Sequence, residues 1–168
     1  MKQLVLTLIG QDKAGLVEQL ATLIAEYHGN WTASNLSHLA GYFAGILQIE
    51  VAEENVAALT TALQQMKDLD IRVHHGVDSR VNEHKLLRFV ITGNDRPGIV
   101  RELSSVIKHK GTNIIHFESS KQSAPNWGVP LFNAIATVEL PDGLNKDEVV
   151  HALEDIASDV IVDVENLN

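Results

Sequence analysis

Leu4-Val5-Leu6-Thr7-Leu8-Ile9-Gly10-Gln11-Asp12-Lys13-Ala14-Gly15-Leu16-Val17 is answered, 83 positions later, by Leu87-Arg88-Phe89-Val90-Ile91-Thr92-Gly93-Asn94-Asp95-Arg96-Pro97-Gly98-Ile99-Val100. Each stretch is an apolar run, then Gly-x-Asp-x-x-Gly, then the start of an amphipathic helical pattern. Self-similarity at a fixed spacing marks a duplicated structural unit. A loop that carries a strand into a helix presents the helix's first N–H groups, which have no intrahelical partner and suit a small anion. Two such loops in a short chain point to a duplicated sensor rather than a single-site enzyme.

The repeat runs outward from these loops. Leu16, Val17, Leu20, Leu23 and Ile24 match Ile99, Val100, Leu103, Val106 and Ile107, again 83 apart, in the pattern of one buried helix face. Asn30-Trp31 and Asn113-Ile114 then open a second strand. Phe43–Val51 matches Phe132–Leu140 at a spacing of 89, so the second copy carries six extra residues (89 − 83 = 6) between its second and third strands. The segment Gln122–Gly128, which includes Trp127, fits that insertion. Leu59, Leu63 and Met66 against Val149, Leu153 and Ile156 predict a second helix, and Ile71–Val73 and Val160–Val164 a closing strand. Each half therefore reads β-α-β-β-α-β. That order predicts an α+β fold: two tandem ferredoxin-like sandwiches, each an antiparallel sheet with both helices on one face. The alternation of Leu4, Leu6 and Leu8 suits a strand covered on one side. Ala40-Gly41 suits a tight hairpin turn between strands two and three.

At 168 residues the chain divides into expected domains at 1–79 and 84–168, joined by the short polar stretch Ser79–His84. Domains this small bury limited core, so the halves are expected to dock together or to pair with another chain as a homo-oligomer. The formal net charge is −9, from 13 basic and 22 acidic residues. That argues against a sequence-independent grip on nucleic acid, which works by neutralising phosphates. There is no cysteine, which removes disulfides, thiolate metal sites and a Cys nucleophile. No apolar run approaches the roughly 20 residues of a membrane helix, and Met1-Lys2-Gln3 leads directly into a strand; a cytoplasmic protein is the expectation.

No motif for nucleotide binding, nucleophilic hydrolysis or zinc catalysis is present, and no cofactor is implied. His74, His75, Asp78 and His84 are close in sequence, but neighbours on a strand point to opposite faces and do not converge on one ion. Lys108, His109 and Lys110 read as cations favoured at a helix C-terminus. The two loops carry the candidate site: Asp12, Ala14, Gly15 and Leu16 in the first copy, and Asn94, Asp95, Arg96, Pro97, Gly98 and Ile99 in the second. Asp12 and Asp95 are expected to cap the helices with their carboxylates. Pro97 suits the first turn, where its missing N–H costs nothing. Asn30 and Asn113 are expected beside the loops as hydrogen-bonding partners for a ligand.

Asn94-Asp95-Arg96-Pro97-Gly98-Ile99-Val100, with Gly111-Thr112-Asn113-Ile114 after the helix, resembles the signature of ACT domains, small βαββαβ regulatory modules that commonly bind amino acids. The first copy matches less closely: Asp12-Lys13-Ala14-Gly15-Leu16-Val17 lacks the proline, and Asn30 is followed by Trp31. A pair of such domains filling the chain resembles the glycine cleavage system transcriptional repressor family. The resemblance implies a non-enzymatic repressor of glycine cleavage genes. It would respond to a small amino acid such as glycine and act on a DNA-bound transcription regulator, without binding DNA or membrane itself. The alternative, a small enzyme with a pocket at the interface of the two domains, finds no catalytic constellation in the sequence.

Overall fold

A computed structural model describes residues 1–76, 85–123 and 128–167. The chain divides into two compact units, Met1–Arg80 and Val81–Asn168. In the first, β1 (Lys2–Gln11), α1 (Leu16–Glu26), β2 (Asn30–Leu39), β3 (Tyr42–Val51), α2 (Val56–Gln64, after a short 3-10 turn) and β4 (Asp70–His75) follow in order. In the second, β5 (Lys85–Asn94), α3 (Ile99–His109), β6 (Asn113–Gln122), β7 (Leu131–Leu140), α4 (Lys146–Glu154) and β8 (Ile161–Asn166) repeat them. The sheets run β2-β3-β1-β4 and β6-β7-β5-β8, and every pairing is antiparallel. Each unit is thus the ferredoxin-like sandwich that the sequence pattern predicts.

The alternation along the central strands selects the buried face. Leu4, Leu6 and Leu8 of β1, and Leu87, Phe89 and Ile91 of β5, point into the two cores. Against them lie Leu16, Leu20 and Ile24 of α1 with Leu59 and Leu63 of α2, and Ile99, Leu103 and Ile107 of α3 with Val149 and Leu153 of α4. The buried stripe is narrower than the sequence pattern suggests. Val17 and Val100, expected on the buried face, remain 46% and 42% exposed. Each follows the first core residue by one position, a turn of about 100° around the helix axis, which carries it off the sheet-facing stripe. Leu23 and Val106 flank the core and are half-buried. Lys108 and His109 occupy the last turn of α3 and Lys110 its C-cap, as the helix-terminus reading expects. None of the helices among the described residues is long and apolar enough to cross a membrane.

The β2–β3 connection is the two-residue turn expected at Ala40-Gly41. Both residues have positive φ, +52° and +82°, the signature of the hairpin turn whose twist matches its strands. The corresponding β6–β7 connection is longer. Gln122 closes β6 rather than belonging to a loop, and residues 124–127 of the expected insertion, with Trp127, lie outside the described residues. An L-residue other than Gly or Asn is disfavoured in the left-handed region by roughly 1–2 kcal/mol. Ala40→Asn should therefore stabilise the first unit by up to about 1 kcal/mol, read as a higher urea midpoint at unchanged slope. A midpoint that falls would contradict the turn geometry.

Candidate functional site

The two strand-to-helix loops are superimposable in design. Gly15 (φ +88°) and Gly98 (φ +92°) occupy the N-cap positions of α1 and α3 in the left-handed conformation, which a residue with a Cβ adopts only at a cost. Neither helix has a side-chain cap. This corrects the capping role expected of Asp12 and Asp95. Each lies three residues before the glycine and anchors the loop to the sheet instead. The Asp12 N–H donates to the Gly41 carbonyl at 2.9 Å, and its carboxylate lies 3.6 Å from His38 Nε2. The Asp95 N–H donates to the Pro130 carbonyl at 2.7 Å, and its carboxylate pairs with Lys121 Nζ at 2.8 Å. The fold does supply a conventional cap elsewhere: the Asn145 side chain accepts the Asp147 N–H at 3.0 Å to start α4.

At α3 the Ile99 N–H turns back to the Arg96 carbonyl at 3.3 Å, and the Glu102 N–H reaches the Gly98 carbonyl at 3.0 Å. Among the described residues no acceptor serves the N–H groups of Gly98, Val100 or Arg101. Pro97 sits in the turn just before Gly98, where it has no N–H to satisfy. Asn94 ends β5, and its N–H donates to Asp159 Oδ2 at 2.6 Å. An open groove of about 840 Å³ runs beside this helix start, lined by Arg96, Gly98, Arg101, Ser105 and Ile156 among others. In the first unit Asp12, Gly15 and Leu16 border a smaller hollow of about 470 Å³ together with Phe43. Leu16 and Ile99 themselves face the cores, and Ala14 is an exposed loop residue.

Asn30 and Asn113 do not sit beside the loops of their own units, contrary to expectation. The loop end of the second sheet is marked by Asn94 opposite Leu131 and Leu131 opposite Gln122. Asn113 lies opposite Glu139, itself opposite Leu86, at the other end of β6. Nine strand residues at ~3.3 Å each put about 30 Å between the two ends. Asn30, opposite Glu50 and so beside Gln3, is placed in the same way. The reason is topological: the helix carries the chain back along the whole sheet before the second strand begins. The residue that does meet the loop is Lys121, near the end of β6, which sequence spacing gave no means of selecting. His74 and His75 occupy successive positions of β4, on alternate sides of the strand; Asp78 and His84 lie outside the described residues.

Electrostatically the second loop is organised around one pair. Arg96 Nη2 and Glu102 Oε2 are 2.6 Å apart. The hydrogen bond from Arg96 holds the Glu102 carboxyl below its ordinary value of 4.5, and the same contact raises the Arg96 guanidinium above its ordinary value. A carboxyl whose folded value is depressed stabilises the fold above the unfolded value and loses that contribution as pH falls through the folded one. Both side chains are open to solvent, so the contribution is small and screened by salt. Glu102→Gln should therefore be slightly less stable than the parent protein at pH 7. The gap should close as pH drops below about 4.5, in urea titrations at pH 7 and pH 3. A gap that stays constant or widens at pH 3 would show that the ion pair is not its source.

Comparison with known proteins agrees with this architecture. Residues 2–75 match the family model of the ACT domain. No curated protein sequence matches the chain significantly. Among solved structures, an unknown protein from Galdieria sulphuraria is 26% identical over 99% of both chains, with a TM-score of 0.87. A candidate glycine cleavage system transcriptional repressor is 14% identical, covering 99% of this chain and 98% of its own, with a TM-score of 0.71. The first unit, matched by the model in sequence, is an ACT domain, and the second unit repeats its strand order and register.

Proposed function

We propose that this protein is a non-enzymatic, amino-acid-responsive regulator, in which a small amino acid binds at the loop Asn94–Ile99 of the second unit. The observation that carries the reading is the start of α3. A left-handed glycine opens the helix, no side chain caps it, and its N–H groups border a groove. A ligand carboxylate there would take the place of the missing cap, where the helix dipole favours negative charge. Asp95, fixed by Lys121, holds the loop in place. Asn113 of the same unit is too far along β6 to touch a molecule as small as glycine at this loop. The loop of the first unit, without a proline and with its lysine tied to Asp68, is the weaker site on this reading.

The output is contact with a protein partner. The likeness in fold to a candidate glycine cleavage repressor, together with the Asp-Arg-Pro-Gly-Ile-Val string, supports a cytoplasmic repressor of glycine cleavage genes that acts through a DNA-bound regulator. The net charge of −9 disfavours a direct grip on DNA phosphates. Among the described residues no set of reacting side chains supports an enzymatic role.

Calorimetric titration with glycine, serine and other small amino acids tests the site. Gly98→Ala places no Cβ within 4 Å of other atoms, so no clash opposes its folding, and circular dichroism checks that the variant is folded. The backbone must nevertheless shift out of the left-handed region and misdirect the N–H groups. Loss of one aligned hydrogen bond is worth about 0.5–1.5 kcal/mol, or roughly two- to twelve-fold in affinity. Gly98→Ala should weaken binding by that factor, while Gly15→Ala leaves the tighter site untouched. No binding of any amino acid to the parent protein, or greater damage from Gly15→Ala, would sink the assignment.

A further inference from the structure

The duplication supplies an internal control, because every position of the groove beside α3 has a counterpart beside α1. In the second unit the groove presents Arg96, Arg101, Glu102, Ser105 and Ile156. Eighty-three positions earlier (90 for the last), the first unit has Lys13, Glu18, Gln19, Thr22 and Met66, and these last four line a groove of about 510 Å³. The element order and strand register are the same and the charge is reversed: Glu18 stands where Arg101 stands, and Glu26 where His109 stands.

The loop cations are also deployed differently. Lys13 is held by Asp68 at 2.9 Å, away from the helix. The counterpart of Asp68 is Asp159, which accepts the Asn94 N–H instead, and Arg96 turns to Glu102 on the helix. Arg96 and Glu102 then neutralise each other. Arg101 makes no ion pair within 4 Å among the described residues, although its charge helps to lower the neighbouring Glu102 carboxyl, and it lines the groove, exposed, together with the apolar Val106, Ile156 and Ala157. It is three residues, about 4.5 Å of helix rise, beyond Gly98. A planar guanidinium is suited to receiving a carboxylate through two hydrogen bonds. The groove is also far larger than glycine needs.

We propose, building on the amino-acid reading above, that the ligand of the second unit is an acidic amino acid whose side-chain carboxylate is received by Arg101, and that the first unit has no equivalent site. The decisive experiment is calorimetric titration of the full chain with aspartate, glutamate, asparagine, glutamine, glycine and succinate. At least one acid should bind ten-fold or more tightly than its amide, at one site per chain. Arg101→Gln should reduce that acid to the level of its amide, Arg101→Lys should retain part of the preference, and Glu18→Gln should leave it intact. Circular dichroism confirms that each variant is folded. Equal affinity for acid and amide, or a preference that survives Arg101→Gln, would overturn this inference while leaving amino-acid binding in place. Succinate binding that depends on Arg101, with no amino acid bound, would keep the carboxylate site at Arg101 and remove the amino-acid reading. A protein that binds none of these molecules would overturn both.

Discussion

A glycine held in the left-handed conformation immediately before a helix is the constraint on which the rest of the site depends. At Gly98, as at Gly15, it lets the chain turn from a central strand into a helix within four residues. Because the helix begins on a residue with no side chain, its first N–H groups are not capped from within. The carboxylates nearby are committed elsewhere: Asp95 to Lys121, Asp159 to the Asn94 N–H, and Glu102 to Arg96. Donors that no local acceptor claims remain available to an anion, and the covered sheet behind them keeps their direction fixed.

That rigidity comes from the sandwich. Each loop is tied at both ends to elements with buried faces, a central strand and the sheet-facing stripe of a helix. Close approach adds to it. A Cβ at Gly10 would overlap the Asp68 carbonyl, so the end of β1 is pressed against the turn that precedes β4. The equivalent contact at Gly93, against Val160 and Asp159, is looser. There the Asp159 side chain, rather than tight backbone contact, secures the loop.

The two copies show how a duplicated fold can diverge on its surface while keeping its strand order and register. The cores repeat nearly position for position, because packing tolerates little change in volume. The grooves do not repeat, since surface positions carry no such restriction. A proline, an arginine for a glutamate and a change of ion-pair partner give the second loop a positive, apolar-floored groove where the first has an acidic one.

The fold was legible in the sequence because the signals that specify it are local and were printed twice: the period-2 alternation of β1 and β5, the helical spacing of Leu16, Leu20 and Ile24, the hairpin at Ala40-Gly41. Two copies agreeing on the same order remove most of the ambiguity of one. The Gly-x-Asp-x-x-Gly loops were legible for the same reason. What the sequence misjudged was distance and partnership. Asp95 stands close enough to the helix in sequence to be its cap, yet its carboxylate is taken by Lys121 from another strand. Asn113 follows the helix directly, yet the helix has carried it about 30 Å to the other end of the sheet. The sequence by itself determined the order of the elements and most of the buried stripe, Val17 and Val100 excepted, since period and burial depend on near neighbours. Only the tertiary structure decided which side chains share a site, because that depends on register between strands far apart in the chain.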